Sequence, residues 1–359
     1  MIHYADLFVA CAIALITTFI LTYPVRKLAI AIGAVDFPNH RKIHTKVTPR
    51  LGGLAIFLGA LSGAIYLQPQ HEHLPEIAMG AVVIIVTGIL DDRYSVRPLV
   101  KLTGQLIAAS FLVSSGLIIE RITLPLIGLV DLGFMSVFIT VLWVVGITNA
   151  INLIDGLDGL ATGVSTIALL SIFIMALIDA QMIVAYLCIV LIGANIGFLF
   201  HNFYPAKIYM GDTGSNFLGY MIAVVSMLGL FKNIALFSFI IPVIVLAVPI
   251  FDTLFAIVRR ASNHESIMMA DNKHIHYRLL QAGYSHRQSV LILYAFSALF
   301  GLLAILFSNA TQTVALVITA LLLLLLHIFA EIAGLVADGK QPVLDLLKKP
   351  FQKKKKRNR

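Results

Sequence analysis

The chain has 359 residues, of which 59% are hydrophobic and 12% are charged, against roughly a quarter charged in soluble domains. Its mean hydropathy is +0.95 and its net charge is +8. A water-soluble globule cannot hide so much apolar surface, and a disordered chain does not carry it. The composition therefore argues against soluble enzymes, fibrous proteins and nucleic-acid-binding domains, and indicates a protein that crosses a bilayer many times.

Apolar stretches close to the length of a membrane helix recur along the chain. They predict an all-α integral membrane protein, a polytopic bundle of about 11 transmembrane helices. The spans are expected near residues 5–25, 51–67, 77–90, 102–119, 134–148, 160–178, 182–199, 215–230, 234–258, 289–307 and 314–336. The first span has no basic residues before it, so we expect it to be retained and not to be a cleaved signal peptide. Pro and Gly interrupt residues 120–133, which predicts a re-entrant or hairpin segment.

Basic residues are distributed unevenly between the connecting segments. Of the 26 Lys and Arg residues, 24 fall in segments that would share one side of the membrane. The positive-inside rule makes that side cytoplasmic and places the N-terminus outside. Residues 337–359 alone hold nine of these residues and two acids, which is typical of a solvated tail beside anionic lipid. We predict a single transmembrane catalytic domain over 1–336, a basic cytoplasmic tail over 337–359, and no nucleic-acid partner.

Five aspartates lie at the ends of apolar spans on the predicted cytoplasmic side: Asp91, Asp92, Asp155, Asp158 and Asp212. Charged residues there are costly unless they are paired, solvated or bound to metal. The adjacent Asp91 and Asp92 would repel each other, and a cation would relieve that repulsion. Carboxylate oxygens suit Mg²⁺, which binds one or two carboxylates together with substrate phosphates. These residues predict a hard-cation site formed by cytoplasmic loops, with simple helix capping as the alternative.

Glycines accompany these acids. In IDGLDGLATG, Asp155 and Asp158 are three residues apart, so a helical turn would direct both carboxylates to one spot. In GDTGSN, Gly211 and Gly214 flank Asp212 just before a span, and the first amides of that span are expected to hold a phosphate. Close packing of membrane helices is the alternative use of these glycines.

Histidines and basic residues supply a second group of candidates. His274 and His276 are two residues apart with Arg278 beyond them, so all three side chains are expected to face one anion. A solvated loop is the alternative. The basic segment that ends at Thr48–Gly53 is expected to attract nucleotide or lipid phosphate, or else to retain topology. His327 and Glu331 are four residues apart in the last span and are expected to pair.

At these residues the chain resembles the polyprenyl-phosphate N-acetylhexosamine-1-phosphate transferases. The matching blocks, in order, are VDFPNHRKIHTKVTPRLGG, GILDDRYSVRPLVKLTGQ, NAINLIDGLDGLATG, HNFYPAKIYMGDTGSNFLG, VPIFDT and ADNKHIHYRL. The resemblance implies a membrane enzyme that transfers a sugar 1-phosphate from a UDP-sugar to a polyprenyl phosphate and releases UMP. It also implies a requirement for Mg²⁺, with Mn²⁺ as a substitute.

The resemblance assigns roles residue by residue. It implies catalytic roles for Asp91, Asp92, His274 and His276, and metal binding by Asp212 and Asp92. It implies a substrate-binding set in which Tyr209 stacks on uracil: Lys46, Asn149, Asn152, Asp155, Asp158, Asn202 and Tyr209. Arg278 joins this set from its spacing after the two histidines. Lys46 is carried over although it stands one register from the corresponding lysine of the muropeptide-transferring branch.

The branch of the family follows from Ile275, which interrupts a run of histidines. The HIH sequence resembles the branch that uses UDP-N-acetylglucosamine, and the first block resembles enzymes that prime wall teichoic acid, with the enzymes that prime O-antigen and enterobacterial antigen as near alternatives. We therefore expect UDP-N-acetylglucosamine and undecaprenyl phosphate as partners, with a homodimer among the expected assemblies. The alternatives are phospho-MurNAc-pentapeptide transfer, an ion-coupled transporter and a non-catalytic scaffold. We expect a one-step displacement, with a two-step route through a phosphorylated Asp212 as the alternative.

Overall fold

The structure is a computed structural model that describes residues 4–37, 47–124, 128–229, 240–264, 274–308 and 310–332. The helices are α1 Tyr4–Ile32, α2 Gly52–Leu67, α3 Leu74–Tyr94, α4 Pro98–Ser114, α5 Met135–Ile154, α6 Leu160–Ile178, α7 Met182–Asn202, α8 Gly211–Gly229, α9 Ile240–Val245, α10 Ala247–Ser262, α11 Ile275–Gln281, α12 His286–Ser308 and α13 Gln312–Ile332. The strands are β1 Val35–Asp36, β2 Thr48–Pro49, β3 Arg121–Leu124 and β4 Gly128–Asp131. Lys46 and the predicted tail 337–359 lie outside the described residues.

Every predicted span falls on a helix, and the span at 234–258 falls on the pair α9 and α10. Within the described part of the chain, seven helices are long and apolar enough to cross a membrane: α1, α3, α5, α6, α7, α12 and α13. The shorter α2 and α4 are also apolar. An all-α membrane protein is therefore confirmed, whereas a count of about 11 crossings stays a prediction.

Two smaller predictions concern single elements. Residues 120–133 contain β3 and β4, which pair antiparallel from Arg121 opposite Asp131 to Leu124 opposite Gly128. The hairpin alternative is thus confirmed, and the re-entrant one is not. In α13 the Nε2 atom of His327 lies 3.2 Å from Oε1 of Glu331, which confirms the expected pair.

The polar ends of the helices meet at one end of the bundle. The end of α3 contacts the start of α8 through Asp92 and Thr213, and the end of α5 reaches the same start through Asn152. The end of α7 joins the start of α6, where Asn202 accepts a hydrogen bond from the amide of Gly159. Because successive helices run in opposite directions, segments that are far apart in sequence converge there.

Helix α8 is the centre of the bundle, and nearly all of its residues are buried. It packs against α3 and α5, and its approach to α3 requires Gly88, because a Cβ there would overlap the backbone of Thr213. The start of α2 also docks on α8, since a Cβ at Gly53 would overlap the backbone of Gly214. Small residues at such crossings let membrane helices approach closely, and here they bring the helix ends together.

Substitution of Gly88 tests whether this crossing holds the bundle together. We expect Gly88→Ala to lower the free energy of unfolding by about 1–3 kcal/mol, because the added methyl group must displace α8 backbone. Gly146→Ala is the matched control, since a Cβ at that position in α5 has open space around it. The measurement is the thermal midpoint of each purified variant in detergent. Equal midpoints for the two variants would contradict the packing argument.

Candidate active site

A half-buried lysine joins two of the predicted aspartates. Lys101, near the start of α4, places its Nζ 2.8 Å from Oδ2 of Asp91 and 2.5 Å from Oδ2 of Asp212. Asp91 lies near the end of α3 and Asp212 in the first turn of α8. The two carboxylates therefore face each other across a single ammonium group, as two acids must when they share a site of low dielectric. Three helix ends are held together by this contact.

The second acid of the pair, Asp92, has a different set of partners. Its Oδ1 accepts a hydrogen bond from the amide of Asp212, and its Oδ2 accepts bonds from the amide and hydroxyl of Thr213. An Arg50 nitrogen lies 3.5 Å from Oδ1. Gly211 has a φ of +71°, and a Cβ there would overlap the Asp92 carboxylate. Asp92 thus caps the N-terminus of α8.

This capping corrects one expectation. The first amides of α8 were predicted to hold a phosphate, but the amides of Asp212 and Thr213 are already bonded to Asp92. The carboxylate of Asp92 supplies the negative charge that a phosphate would otherwise supply at this helix start. The predicted catalytic and metal-binding roles of Asp92 stay predictions. Both of its oxygens already accept hydrogen bonds from the start of α8, so a metal ion would have to replace some of those bonds.

Amide side chains connect α5 to the acids. Asn152 donates to Oδ1 of Asp212 and to the hydroxyl of Ser215, both at 2.7 Å. One turn earlier, Asn149 donates to Gln105 of α4 at 2.8 Å, and Gln105 donates in turn to Asn216 of α8 at 3.1 Å. Asn149 and Asn152 therefore both lie at the site. One oxygen of Asp212 is bonded to the side-chain amide of Asn152, and the other is bonded to the ammonium of Lys101.

Asp155 and Asp158 lie in the link between α5 and α6. The helical turn predicted for them is wrong. Helix α5 ends at Ile154, residues 155–159 form a non-helical link, and Gly159 has a φ of +80°. Desolvation raises the pKa of Asp155 to about 7, and nearby Asp92 and Asp158 add to the rise while Arg50 opposes it. Asp155 is thus close to the acids of α3, although it lies more than 60 residues from them in sequence.

Asp158, Asn202 and Tyr209 organise the segment between α7 and α8. Oδ2 of Asp158 accepts the amide of Ala206 at 2.9 Å. The side chain of Asn202 accepts from Gly159 and Thr162 and donates to the carbonyl of Ile208. The backbone amide of Tyr209 donates to the carbonyl of Pro49 in β2. Desolvation, followed by the Asp158 charge, raises the pKa of its phenol to about 12. These contacts are structural ties, and the predicted substrate contacts stay predictions.

The two predicted histidines stand at the start of α11. Nδ1 of His274 lies 2.9 Å from Oδ2 of Asp252, and the rings of His274 and His276 are parallel within 2° at 5.8 Å. Burial lowers the pKa of His276 to about 4, so its imidazole is neutral near pH 7. A Cβ at Gly156 would overlap Nε2 of His276, so the ring lies against the Asp155 link. Arg278 is half-buried one turn further along α11.

Sequence reasoning missed several residues of the site. Lys101 falls inside one of the quoted motifs, and Gln105 and Asn216 are buried amides in apolar helices. Asp252 lies in the VPIFDT block, inside the span predicted at 234–258. The signal available for all four was the cost of a polar side chain in an apolar helix, which makes it a candidate for function.

The chemistry of the acids fits a hard cation. In the part of the chain that the structure describes, no three His, Cys, Asp or Glu side chains form a metal-binding group. Mg²⁺ does not need three, because it takes one or two carboxylates and completes its shell with phosphate and water. Asp91 and Asp212 already converge on one positive charge. The fold and site thus define a multi-pass membrane protein with an acidic centre at its helix ends.

Comparison with known proteins agrees with this description. Residues 74–230 match the model of glycosyl transferase family 4. A probable undecaprenyl-phosphate N-acetylglucosaminyl 1-phosphate transferase of Bacillus subtilis is 48% identical over 343 residues, covering 95% of this chain and 96% of that protein. A decaprenyl-phosphate N-acetylglucosaminephosphotransferase of Mycobacterium tuberculosis is 39% identical, covering 86% and 84%. An undecaprenyl-phosphate alpha-N-acetylglucosaminyl 1-phosphate transferase of Yersinia pestis is 27% identical, covering 83% and 84%.

The chain therefore belongs to the polyprenyl-phosphate N-acetylglucosamine-1-phosphate transferase family. The family model covers α3 to α8, which contain Asp91, Lys101, Asp155 and Asp212. The similarity to the Bacillus protein extends over nearly the whole chain.

Replacement of Lys101 tests whether its ammonium holds the acids together. We expect Lys101→Met to reduce stability by about 2 kcal/mol, because two carboxylates are left facing each other without a cation. The thermal midpoint should be measured without divalent metal. Lys207→Met, at an exposed lysine between α7 and α8, is the control and should leave the midpoint unchanged. If both variants melt together with the wild type, the bridge contributes nothing.

Proposed function

We propose that this protein transfers N-acetylglucosamine 1-phosphate from UDP-N-acetylglucosamine to undecaprenyl phosphate and releases UMP. The observation that carries the proposal is the convergence of Asp91 and Asp212 on one cation at the helix ends. A site for two phosphorylated substrates needs charge compensation and positioning above all, because phosphoryl transfer involves little covalent chemistry by the protein. The names of the relatives supply the substrate class.

The proposed reaction is a single displacement. An oxygen of the lipid phosphate bonds to the β-phosphorus of the UDP-sugar, and the bond from that phosphorus to the bridging oxygen breaks. UMP leaves with the electron pair, and the sugar 1-phosphate ends on the lipid as a diphosphate. A single step is favoured over a phosphorylated Asp212, because a carboxylate that binds the metal is poorly placed as a nucleophile, and its other oxygen accepts a hydrogen bond from Asn152.

We assign Mg²⁺ to Asp91 and Asp212. When bound, the ion would stabilise negative charge on the diphosphate. Entry of the ion requires the ammonium of Lys101 to turn away from at least one carboxylate, and that ammonium is then free to bind a phosphate oxygen. Desolvation raises the pKa of Asp155 to about 7, so its carboxyl group is suited to hold or release a proton near neutral pH. His276 contributes as a neutral imidazole.

The proposed active site faces the cytoplasm. In the sequence, the segments predicted to share the side of Asp91, Asp155 and Asp212 carry 24 of the 26 Lys and Arg residues, which supports that orientation. The N-terminus is then external and the C-terminus cytoplasmic. We further propose wall teichoic acid as the polymer primed, on the resemblance of the first sequence block.

The transporter alternative receives less support. Transporters coordinate their ions near the middle of the membrane, on broken helices. Here Asp91 and Asp92 end α3, Asp155 follows α5, and Asp212 begins α8. An acidic group at one interface suits a reaction between a soluble nucleotide sugar and a lipid head group.

An assay with purified protein tests the proposal. With undecaprenyl phosphate present, we expect UMP release from UDP-N-acetylglucosamine and none from UDP-MurNAc-pentapeptide or UDP-N-acetylgalactosamine. Removal of Mg²⁺ with a chelator should stop the reaction, and added Mg²⁺ or Mn²⁺ should restore it. Release from UDP-MurNAc-pentapeptide instead would move the protein to the peptidoglycan branch. Ion uptake into sealed vesicles without UMP release would support the transporter.

Asp212→Asn tests the metal-binding carboxylate in the same assay. We expect turnover to fall by about 1000-fold, because the amide keeps the shape of the side chain but loses the charge that offsets the cation. Insertion and elution from a sizing column should be normal. Asp131→Asn, at an exposed hairpin carboxylate, is the control and should retain full activity. Near-normal turnover of Asp212→Asn would rule out its metal role.

A further inference from the structure

Asp252 is a buried acid inside α10 that makes two bonds to the start of α11. Its Oδ2 lies 2.9 Å from Nδ1 of His274, and its Oδ1 accepts the backbone amide of Ile275 at 2.9 Å. The side chains of Asp252 and His274 are almost completely buried. One carboxylate therefore anchors both the first amide of α11 and the imidazole that precedes it.

The bond to His274 determines which of its nitrogens carries a proton. A carboxylate only accepts hydrogen bonds, so Nδ1 of His274 must be the protonated nitrogen. In the neutral imidazole, Nε2 then carries the lone pair. Asp252 thus sets the tautomer and the ring plane of His274, as acids behind functional histidines do in other enzymes.

The position of His276 depends on the same anchor. Its ring is buried and lies parallel to the ring of His274, and among the residues that the structure describes neither of its nitrogens has a hydrogen-bond partner. Its Nε2 lies against Gly156 in the Asp155 link. An unpartnered buried imidazole is unfavourable, so a rigid support is needed to hold it there. The anchored start of α11 provides that support.

We propose that Asp252 is a positioning residue for the sugar-phosphate transfer proposed above, on which this inference rests. Asp252 has no contact with substrate in this scheme. It acts through His274, whose tautomer it selects, and through the start of α11, which holds His276 against residues 155–159. The two histidines are thereby oriented before substrates bind, and turnover depends on a carboxylate that lies behind the site.

Asp252→Asn separates this role from a structural one. The amide oxygen still accepts the Ile275 amide, so α11 should keep its start. The amide nitrogen only donates, so Nδ1 of His274 must become an acceptor and the proton must move to Nε2. We expect kcat to fall by about 100-fold with little change in KM or thermal midpoint. Asp179→Asn, at the end of α6, is the control and should match the wild type.

A double-mutant cycle with His274→Gln tests whether Asp252 acts through that histidine. If it does, the double variant should be no slower than His274→Gln alone. Multiplicative losses would mean that the two residues act independently and would overturn the proposal. A drop in the thermal midpoint of Asp252→Asn, with activity falling only as the folded fraction falls, would also overturn it.

A spectroscopic measurement makes the result independent of catalysis. Protein labelled with ¹⁵N at histidine should show His274, assigned by its loss in His274→Gln, protonated at Nδ1 in the wild type and at Nε2 in Asp252→Asn. An unchanged His274 signal would refute the positioning role even in an active enzyme. If the signal shifts but the wild type releases no UMP, the proposed function fails while the control of the tautomer stands.

Discussion

The whole site depends on a cation between two carboxylates at the edge of an apolar bundle. Lys101 neutralises Asp91 and Asp212 together, and without a positive charge their repulsion would separate α3 from α8. The same two helices carry the second acid, Asp92, which caps α8 and so fixes the backbone that presents Asp212. The two adjacent acids therefore have different partners. Asp91 contacts the ammonium of Lys101, and Asp92 caps the start of α8.

Close packing of the helices allows these charged side chains to come together. The acids lie on helices whose axes approach through Gly53, Gly88 and Gly214, where an added Cβ would overlap backbone. In a membrane, small residues let helices associate through van der Waals contact. The glycines therefore serve the site indirectly, because they bring the end of α3 and the start of α2 close to the start of α8. For Gly214, close helix packing, which was the alternative to phosphate binding, is the role that the structure supports.

A second layer supports the histidines. Asp252 lies behind His274 in the same way that Asp92 lies behind Asp212, with both oxygens bonded to neighbouring groups. In both cases a buried carboxylate stabilises the start of a helix and bonds to a residue predicted to act at the site. This repeated arrangement gives Asp92 and Asp252 a structural use besides any contact with substrate or ion.

The sequence by itself determined the class of protein, the positions of the helices and the family, because the lengths of apolar stretches and the order of motifs can be read along the chain. For residues 120–133 it left a hairpin and a re-entrant segment open, and the structure decided for the hairpin. It also placed the acids at one end of the bundle. Only the tertiary structure decided which partner each acid takes. Lys101 and Asp212 are 111 residues apart, and the start of α8, predicted to bind phosphate, is occupied by an acid from α3. Such pairings follow from how helices cross, and the crossing is determined by side chains that are distant in sequence.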